Sequence, residues 1–445
     1  MPVYVDSAAS GANDGTSWTD AYTAIASTLS VAAGTQILID DGHSEDLGSG
    51  SVTLDWTNGT MDSPVEIYSV DKADDSYSPG AYIYNGGSSN IDLKFEGNIR
   101  VFGLTGKCRR FLYMNSANAK TFQRYEDCTF GWAGGTGSKA FQIGRNSKPS
   151  ELTHYISCHF DCSGASISRN FICQNAEFVF ENCTFTEYAG TPSSELFTIG
   201  GVDCSLTLRG CDLSDLELST KGFLVWQATE ANFKVLVQAC KLPSAVLWID
   251  GTPGSGQFRQ SMLLVEGCTD GTISVPELGL TYKETQQGVV QSDLSRYRTG
   301  GADDGYQANA HSWEMVSSSM VGETTLRLEA PELRRWVDAG SQTITLYFAG
   351  GATLQDDEFG IDVCSPSEAG SPTTRCAVVS TRMTPLGTPA NLDADGSSTW
   401  NGSGVGTVQK IDVAIAPTVA GWVTVRPWLA KPSTTVYIDP RIAVA

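Results

Sequence analysis

A short apolar phrase built around a cysteine recurs along the middle of the chain, and it restricts the folds open to this sequence. An apolar residue stands three positions before each cysteine, and in most copies Phe or Leu stands two positions after it. The cysteines are Cys128, Cys158, Cys183, Cys211, Cys240 and Cys268, and Leu104 replaces the thiol in a forerunner. Successive positions are 24, 30, 25, 28, 29 and 28 residues apart. A period in the twenties that drifts by a few residues is typical of a solenoid.

Each period fits one coil of a parallel β-helix. The apolar residues of the phrase would point inwards, and the residues between them, such as Glu126 and Glu181, would point outwards. A second apolar phrase recurs between the cysteines, as in Phe111–Met114 and Phe171–Cys173. The residue before each cysteine suits a tight bend between strands; these residues are Asp127, Ser157, Asn182, Gly210, Ala239 and Gly267. We predict that Leu104 and the six cysteines stack as an inward ladder of small apolar groups, with free thiols.

The pattern changes at both ends of the repeat. Ser17 and Asp20 form a plausible capping box, and apolar residues at helical spacing between Tyr22 and Leu29 predict an amphipathic helix that caps the solenoid. After Cys268 the repeat fades, and from Ser312 eight longer strands predict an antiparallel β-sandwich of jelly-roll type. The predicted fold is all-β, with the cap and first coil in residues 1–50, the β-helix in 51–298, a linker in 299–311 and the sandwich in 312–445.

Composition limits the partners. The chain of 445 residues carries 29 Lys and Arg against 50 Asp and Glu, a net charge of −21, which argues against nucleic acid and against an anionic membrane. No run of eighteen apolar residues predicts a membrane span, and the opening Met1–Asp6 lacks a secretion signal. We therefore expect synthesis in a cytoplasm. Cys364 and Cys376 close a loop rich in Pro, Ser and Gly, which makes them candidates for a hairpin disulfide.

Candidate catalytic groups are sparse. Glycan-cleaving β-helix enzymes need carboxylates on an exposed face, and the outward positions offer Glu126, Glu177, Glu181, Asp203 and Glu266. Ile156, Arg209 and Gln238 interrupt them, so no pair on neighbouring coils emerges. The sequence therefore favours a protein that is not an enzyme; if it is one, a glycosidase or a polysaccharide lyase would use this set.

No metal or cofactor is predicted. His154, Cys158, His159 and Cys162 are residue types that bind zinc, but Cys158 and His159 would point to opposite faces of a strand. The acidic turn from Asp40 to Asp46 offers ligands for a cation or contacts for a partner, but a solvated loop is the preferred interpretation. The segment that begins at Asp393 resembles a calcium loop, but Gly404 stands where a Glu is required.

Two segments resemble a known group of proteins. The opening Tyr4-Val5-Asp6 with Asn13–Trp18 resembles the N-terminal cap of pectate-lyase-like right-handed β-helix proteins. The C-terminal third, with His311-Ser312-Trp313 and Lys431–Pro440, is similar to the β-sandwich of β-helix proteins from tailed bacteriophages. The resemblance implies a right-handed β-helix, a homotrimer and a virion protein of tail-spike type. No separate particle-binding domain precedes the β-helix here, so attachment would come from elsewhere.

Three functional hypotheses follow from the sequence. The first is a non-enzymatic structural component of the virion surface, a trimeric spike or decoration that contacts capsid or tail proteins, with the capsid slightly favoured, and that leaves the host by lysis. The second is a tail-spike depolymerase that cuts host surface polysaccharide. The third is a glycan-binding module without cleavage, for which the sandwich offers Trp400, Trp422 and Trp428 as contact residues.

Overall fold

The protein is described by a computed structural model. It describes residues 1–48, 50–85, 92–109, 111–114, 121–132, 140–142, 151–163, 170–174, 176–186, 195–200, 204–219, 222–226, 232–246, 248–250, 260–270, 273–274, 278–299, 310–321, 326–350, 354, 358–366, 376–382, 399–400, 409–440 and 442–444. The chain divides into two compact units. The first comprises Met1–Ser255 with Leu264–Glu277, and the second comprises Gly256–Leu263 with Leu278–Ala445.

The first unit is a parallel β-helix with three sheets. The first sheet has the order β1 (Val3–Val5), β2 (Gln36–Asp40), β5 (Val65–Asp71), β9 (Ile99–Phe102), β12 (Phe122–Glu126), β15 (Glu151–Ile156), β18 (Ala176–Glu181), β21 (Cys204–Arg209) and β23 (Asn232–Gln238). The second has β3 (Ser44–Asp46), β7 (Tyr82–Tyr84), β10 (Thr105–Cys108), β13 (Thr129–Trp132), β16 (His159–Asp161) and β19 (Thr184–Thr186). The third has β4 (Val52–Trp56), β8 (Leu93–Gly97), β11 (Phe111–Met114), β14 (Ala140–Gln142), β17 (Asn170–Gln174), β20 (Phe197–Gly200), β22 (Leu224–Trp226) and β25 (Ile249–Asp250).

Shorter strands complete this part of the chain. A two-residue strand, β6 (Ser76–Tyr77), folds back antiparallel onto β5. Asp212 bridges the second sheet from Thr184 to Lys241. The remaining strands are β24 (Lys241–Leu242), β26 (Gln260–Glu266), β27 (Thr269–Asp270) and β28 (Ile273–Ser274).

Equivalent residues of successive coils lie in register, as the repeat predicts. Tyr125 pairs with Tyr155, and Tyr155 pairs with Phe180. Their rings stack inside the coil with centroids 5.4 Å and 4.7 Å apart. Phe130 and Phe160, which follow the cysteines, are also fully buried. The interior is therefore a set of columns in which each ring covers the ring of the previous coil.

The bend before each cysteine has a left-handed backbone. The φ angles are 52° at Asp127, 51° at Ser157, 53° at Asn182, 64° at Gly210, 53° at Ala239 and 61° at Gly267. Asn, Asp and Gly tolerate this conformation, whereas Ser and Ala adopt it at a cost. Five of them donate their N–H to the carbonyl of an adjacent coil, for example Asp127 to Ile156 at 3.0 Å and Ala239 to Glu266 at 3.0 Å; the others are Ser157, Asn182 and Gly210. The small residues noted in the sequence are thus the corners of the coils.

The predicted capping helix is wrong. The described N-terminal residues contain only a 3₁₀ helix, η1 (Ile25–Thr28), between Ala24 and Leu29. The Ser17–Asp20 contact of the capping box does form, at 3.0 Å, but Asp20 also accepts the N–H of Ala12, and Tyr22 forms a β-bridge with Val5. These contacts hold residues 11–22 in a loop and leave too few residues for an amphipathic helix.

The second unit contains a sandwich of two antiparallel sheets. One sheet has the order β29 (Leu278–Thr285), β30 (Gly288–Thr299), β31 (Ala310–Ser317), β40 (Thr435–Ile438), β34 (Gln342–Gly350) and β38 (Gln409–Ile415), with β37 (Thr399–Trp400) beside β30 and β41 (Ala443–Val444) beside β34. In the other sheet, β32 (Leu328–Glu329) and β33 (Leu333–Val337) both pair with β39 (Gly421–Leu429), which is followed by β35 (Phe359–Pro366) and β36 (Cys376–Arg382).

The strand order confirms a jelly roll. When β31, β33, β34, β35, β36, β38, β39 and β40 are numbered one to eight along the chain, the two sheets read 1-8-3-6 and 2-7-4-5. This is the double Greek key of a jelly roll. Its core includes Trp313, Leu346, Phe359 and Val425.

The boundary between the units differs from the predicted one. The sequence pattern places residues 278–298 in the β-helix, but they form the antiparallel pair β29 and β30, and β30 pairs with β31 of the sandwich. Parallel and antiparallel strands carry the same apolar alternation, so the pattern alone does not separate them. Most of the predicted linker, residues 300–309, lies outside the described residues.

Candidate functional site

The outward residues two positions before the cysteines form a connected polar column on the first sheet. Arg209 donates to Glu181 from Nη1 at 3.3 Å and to Gln238 from Nε at 3.0 Å. Gln238 donates in turn to Glu266 at 2.7 Å. His154 Nε2 lies 3.0 Å from the second oxygen of Glu181. Two of the candidate catalytic carboxylates are therefore engaged in one chain of hydrogen bonds that crosses the coils.

The other candidate carboxylates lie apart from this chain. Glu126 accepts a hydrogen bond from Arg124 at 2.7 Å, and Glu177 is exposed. Asp203 lies outside the described residues. Glu126 and Glu181 are two coils apart in the same column, so their backbones are separated by roughly 9.6 Å at ~4.8 Å per strand. No two of the described candidates occupy neighbouring coils.

The four residues with zinc-binding side chains do not converge. Cys158 and Cys162 are buried, His154 lies at Glu181, and His159 is on the second sheet between the hydroxyls of Thr184 and Thr186, at 2.8 and 3.0 Å. Across the described ranges, no group of three or more His, Cys, Asp or Glu residues is arranged to hold a metal ion.

The acidic turn after β2 is largely occupied by its own neighbours. Asp40 and Asp6 are buried, and both accept hydrogen bonds from Lys72 Nζ, at 3.1 and 2.9 Å. These bonds raise the pKa of Lys72. His43 is buried, accepts the N–H of Ser7 at Nδ1, and therefore presents its Nε2–H to Glu45 at 3.2 Å. The turn joins the N-terminal segment to the first coil.

The thiols lie on the inside of the bend, one in each coil. All six recurrent cysteines are buried and free. Cys128 donates to the carbonyl of Val101, Cys158 to that of Tyr125 and Cys183 to that of Tyr155, with Sγ to oxygen distances of 3.5, 3.4 and 3.5 Å. Burial, together with hydrogen bonding along the row, raises the pKa of Cys128 well above its ordinary value. These contacts describe an internal row of thiols that takes part in packing.

The outer face of the second sheet gathers side chains that the sequence analysis did not single out. We call this the second-sheet face; it has one column with Tyr82, Thr105, Thr129, His159 and Thr184, and another with Tyr84, Lys107, Gly131, Asp161 and Thr186. The Tyr82 and Tyr84 rings are stacked with centroids 5.0 Å apart. Lys107 reaches across Gly131 to Asp161, at 3.0 Å.

On the second-sheet face, burial and hydrogen bonding shift the pKa of Asp161 in opposite directions. Burial raises the pKa of Asp161, but hydrogen bonds from Ser163 and Lys107 outweigh it and leave the pKa below its ordinary value. The side chains of Lys107 and Asp161 are 24% and 22% exposed, so both remain accessible from solvent. Aromatic rings beside hydroxyl, amine and carboxylate groups give this face both apolar and hydrogen-bonding surface.

The tryptophans of the sandwich differ in exposure. Trp422 is 57% exposed, whereas Trp428 is buried under the guanidinium of Arg327, 5.1 Å from its ring centroid. The side chain of Trp400 lies outside the described side chains. Trp336, which the sequence analysis missed, is 52% exposed and stands opposite Trp422, with centroids 5.6 Å apart.

The strands of the predicted disulfide are neighbours. β35 and β36 pair antiparallel, with Cys364 opposite Val378 and Cys376 opposite Pro366. Cys364 is disulfide-bonded, and ten other cysteines are free. The side chain of Cys376 lies outside the described side chains, so the pairing of these two cysteines stays a prediction.

Fold and surface together define an all-β protein that combines a parallel β-helix with a jelly-roll sandwich. Within the described residues, no helix is long and apolar enough to cross a membrane. The chain matches no protein-family model, and it matches none of the curated proteins with which it was compared.

Three solved structures are similar to parts of this chain. One is the enzymatically active domain of tailspike protein 4 of bacteriophage CBA120, with 10% identity, a TM-score of 0.27, and coverage of 93% of this chain and 64% of that one. Another is Pantoea stewartii WceF, described as a glycan biofilm modifying enzyme with a tailspike-like parallel β-helix fold, with 11% identity, a TM-score of 0.26, and coverage of 93% and 50%. The third is the carbohydrate-binding module TmCBM61 with β-1,4-galactotriose, with 12% identity, a TM-score of 0.18, and coverage of 35% and 86%. Such TM-scores establish no shared overall structure, so the fold assignment stands on the strand pairing.

Proposed function

We propose that this protein is a structural component on the surface of a tailed-phage particle, a trimeric β-helical spike or decoration that adheres to host surface glycan without cutting it. The resemblance of its C-terminal third to the β-sandwich of β-helix proteins from tailed phages supports the virion assignment. The same resemblance supports three copies per spike. In this proposal the protein meets the host glycan after lysis has released the particle.

The observation that carries the glycan-binding part is the second-sheet face. A stacked tyrosine pair offers flat apolar rings to the C–H groups of a sugar, while Lys107, Asp161 and the threonine hydroxyls offer donors and acceptors to its hydroxyl groups. These groups sit on paired strands in five successive coils, so they are ordered before a ligand arrives. An extended polysaccharide chain would follow the direction in which the coils stack.

The scaffold part of the proposal rests on the internal ladders. Each coil is joined to the next by strand pairing in three sheets, by the N–H of the left-handed corner and by the stacked rings. Because the backbone groups are paired from coil to coil, local opening breaks several bonds at once. Such a body resists shear and proteolysis, which a particle-surface protein must survive.

Binding to purified bacterial surface polysaccharides tests the adhesive part. The full-length protein is expected to bind at least one polysaccharide of a panel immobilised for surface plasmon resonance, and Tyr82→Ala with Tyr84→Ala should weaken that binding at least tenfold. Lys234→Ala, an exposed change on the first sheet, serves as the control and should leave the affinity within twofold. Equal binding by the tyrosine variant and the control would refute this use of the face. Light scattering tests the trimer, and immunogold labelling of particles distinguishes capsid from tail attachment.

A depolymerase is the second candidate, and one observation favours it. The backbones of Glu126 and Glu181 are about 9.6 Å apart by strand spacing, close to the roughly 6.5–9.5 Å that separates the carboxyl groups of inverting glycosidases. If this pair cleaves glycan, incubation with the bound polysaccharide releases new reducing ends, and Glu126→Gln or Glu181→Gln abolishes them. Binding without new reducing ends favours the adhesin.

A further inference from the structure

The sandwich carries an exposed pair of tryptophans that packing of the unit does not explain. Trp56, Trp313 and Trp428 are fully buried, as large aromatic residues usually are, whereas Trp336 and Trp422 are 52% and 57% exposed. The two stand directly opposite each other on β33 and β39, on the side of the sheet that faces away from core residues such as Val423 and Val425. Two half-exposed indoles side by side form an apolar patch on the outer side of this sheet.

The rings form a corner. Their centroids are 5.6 Å apart and their planes meet at 88°, so one indole presents its face where the other presents its edge. A flat, weakly apolar ring would lie on the exposed face of one indole while the second indole forms a side wall. The backbone pairing of Leu333–Val337 with Gly421–Val425 fixes both rings on regular strands. The corner therefore needs little ordering on binding.

We propose that the Trp336–Trp422 corner is a binding site for a neutral pyranose unit of a glycan, separate from the second-sheet face. Sugars combine an apolar C–H face with a rim of hydroxyl groups, and the corner has a matching rim. Arg334 and Thr424 are opposite each other two positions along the same strands, and Arg334 is 67% exposed. A guanidinium and a hydroxyl there provide donors and an acceptor for sugar hydroxyls.

The local charges favour a neutral ligand. Arg334 lies 3.7 Å from Glu332, and Glu332 also forms a close ion pair with Arg426. Arg426 is 3.8 Å from Glu329 as well. Arg334 and Arg426 are thus both paired with carboxylates, which weakens the attraction of this surface for an anionic glycan.

The size of the patch argues against a protein occupant. Two indoles of up to ~250 Å² each, about half exposed, leave on the order of 250 Å² open, against the roughly 800 Å² per partner that a stable protein interface buries. Addition of a strand from a second copy is also opposed. Arg335 has the core-facing register position opposite Val423 but is exposed, and charged residues at such positions discourage pairing along an edge. One or two sugar rings fit the patch.

Saturation-transfer NMR with neutral hexasaccharides tests the proposal on the full-length chain. The probes are maltohexaose, cellohexaose and a β-1,4-galactohexaose, with hexagalacturonate as the anionic comparison. We expect saturation of the C–H protons of at least one neutral probe, and at least a tenfold weaker affinity in Trp336→Ala with Trp422→Ala. Leu326→Ala, which removes another exposed apolar side chain of the same unit (53% exposed), should change the affinity less than twofold.

The alternatives give different results. Unchanged affinity in the double variant, no transfer to any neutral probe, or transfer to hexagalacturonate alone overturns the proposal. Sedimentation velocity identifies the remaining alternative, because a lower oligomeric state in the double variant would make the corner an interface between copies. Trp336→Phe with Trp422→Phe keeps aromatic faces and should retain most of the affinity, which separates loss of the site from loss of the fold. Loss of polysaccharide binding through Tyr82 and Tyr84 is read from separate variants, so the two proposals fail independently.

Discussion

Replacement of Tyr155 by Phe should stabilise the β-helix. The Tyr155 ring is fully buried between Tyr125 and Phe180, but its hydroxyl has no hydrogen-bond partner among the described residues. Tyr125 lies one coil away in the same column, and its hydroxyl donates to Gln123 Oε1 at 3.3 Å. The two tyrosines are thus a matched pair, equal in burial and stacking and different in hydrogen bonding.

Tyr155→Phe and Tyr125→Phe are expected to change the free energy of unfolding in opposite directions. A buried polar group without a partner costs about 1–3 kcal/mol, and Tyr155→Phe removes that cost. The void left by one oxygen, on the order of 10 Å³, costs only about 0.2 kcal/mol. We therefore expect Tyr155→Phe to raise the free energy of unfolding by about 1 kcal/mol or more. Tyr125→Phe leaves the buried amide oxygen of Gln123 without this donor and should lower it by about 1 kcal/mol.

Guanidinium unfolding and differential scanning calorimetry measure both changes. An increase of 1 kcal/mol corresponds to roughly 2–4 °C in the melting temperature of a unit of this size. Both variants should keep the same unfolding slope with denaturant, since the surface buried is unchanged. If Tyr155→Phe is as destabilising as Tyr125→Phe, then the Tyr155 hydroxyl has a partner such as a buried water, and the reasoning about this column fails.

Four further outcomes are expected. Burial raises the pKa of Cys128, Cys158, Tyr125 and Tyr155 well above the ordinary values. Because the unfolded chain loses these protons at a lower pH than the folded chain, the free energy of unfolding should be constant near pH 7 and fall above about pH 8.5, by up to ~1.4 kcal/mol per pH unit for each such group. A free energy of unfolding in urea that stays constant to pH 11 would contradict this. Ala239→Gly should raise the free energy of unfolding by roughly 0.5–1 kcal/mol, because it relieves a left-handed alanine at φ 53°. Gly210→Ala should lower the free energy of unfolding by more than that, because the new Cβ would collide with the Asn182 side-chain oxygen. A change of the same sign in both variants, measured by denaturant unfolding, would refute the role of the corner. Lys72→Met should cost about 1–2 kcal/mol, because it leaves the buried Asp6 and Asp40 without their shared cation, while Lys72→Arg should retain most of the stability in the same assay. Titration with Ellman's reagent should find almost no reactive thiol in the native protein and ten after denaturation. All twelve cysteines should react after denaturation and reduction. Twelve reactive thiols without a reductant would exclude the disulfide at Cys364.

The regular part of the fold was accessible from sequence because every coil repeats the same inward residues. The aromatic residue before each cysteine and the small residue at each corner predict the strand, the bend and the register together. The corner residues illustrate this, since Asn182 and Gly210 are residue types that tolerate a positive φ. Local propensity and stacking agree at these positions, so a single sequence suffices.

The two ends of the β-helix are harder to predict from the sequence because tertiary contacts override the local pattern there. The spacing of Tyr22, Ile25 and Leu29 is helical, but Tyr22 pairs with Val5 and only Ile25–Thr28 turns as a 3₁₀ helix. The strands β29 and β30 alternate like the preceding coils, and only their antiparallel pairing with each other and with β31 assigns them to the sandwich.

The surface sites were missed for two separate reasons. On β33, three consecutive residues, Arg334, Arg335 and Trp336, are exposed, so the alternation that identifies a strand is absent and Trp336 carried no signal. On the second-sheet face, Lys107 and Asp161 are 54 residues apart in sequence and meet across Gly131 only when the coils are stacked. Knowledge of the repeat register would have placed Lys107, Gly131 and Asp161 in one column.

The left-handed corners also determine which insertions and deletions the β-helix accepts. The corners from Asp127 to Ala239 donate their N–H to an adjacent coil in the same way, so a deletion from one cysteine to the residue before the next would join equivalent positions. A deletion of an odd number of residues within a strand would move inward side chains outwards, whereas the connections between strands absorb the differences in spacing between successive thiols, which are 25–30 residues apart. The β-helix is thus free to grow or shrink by duplication or loss of whole coils, in steps of about 4.8 Å, and is closed to smaller adjustments within the strands.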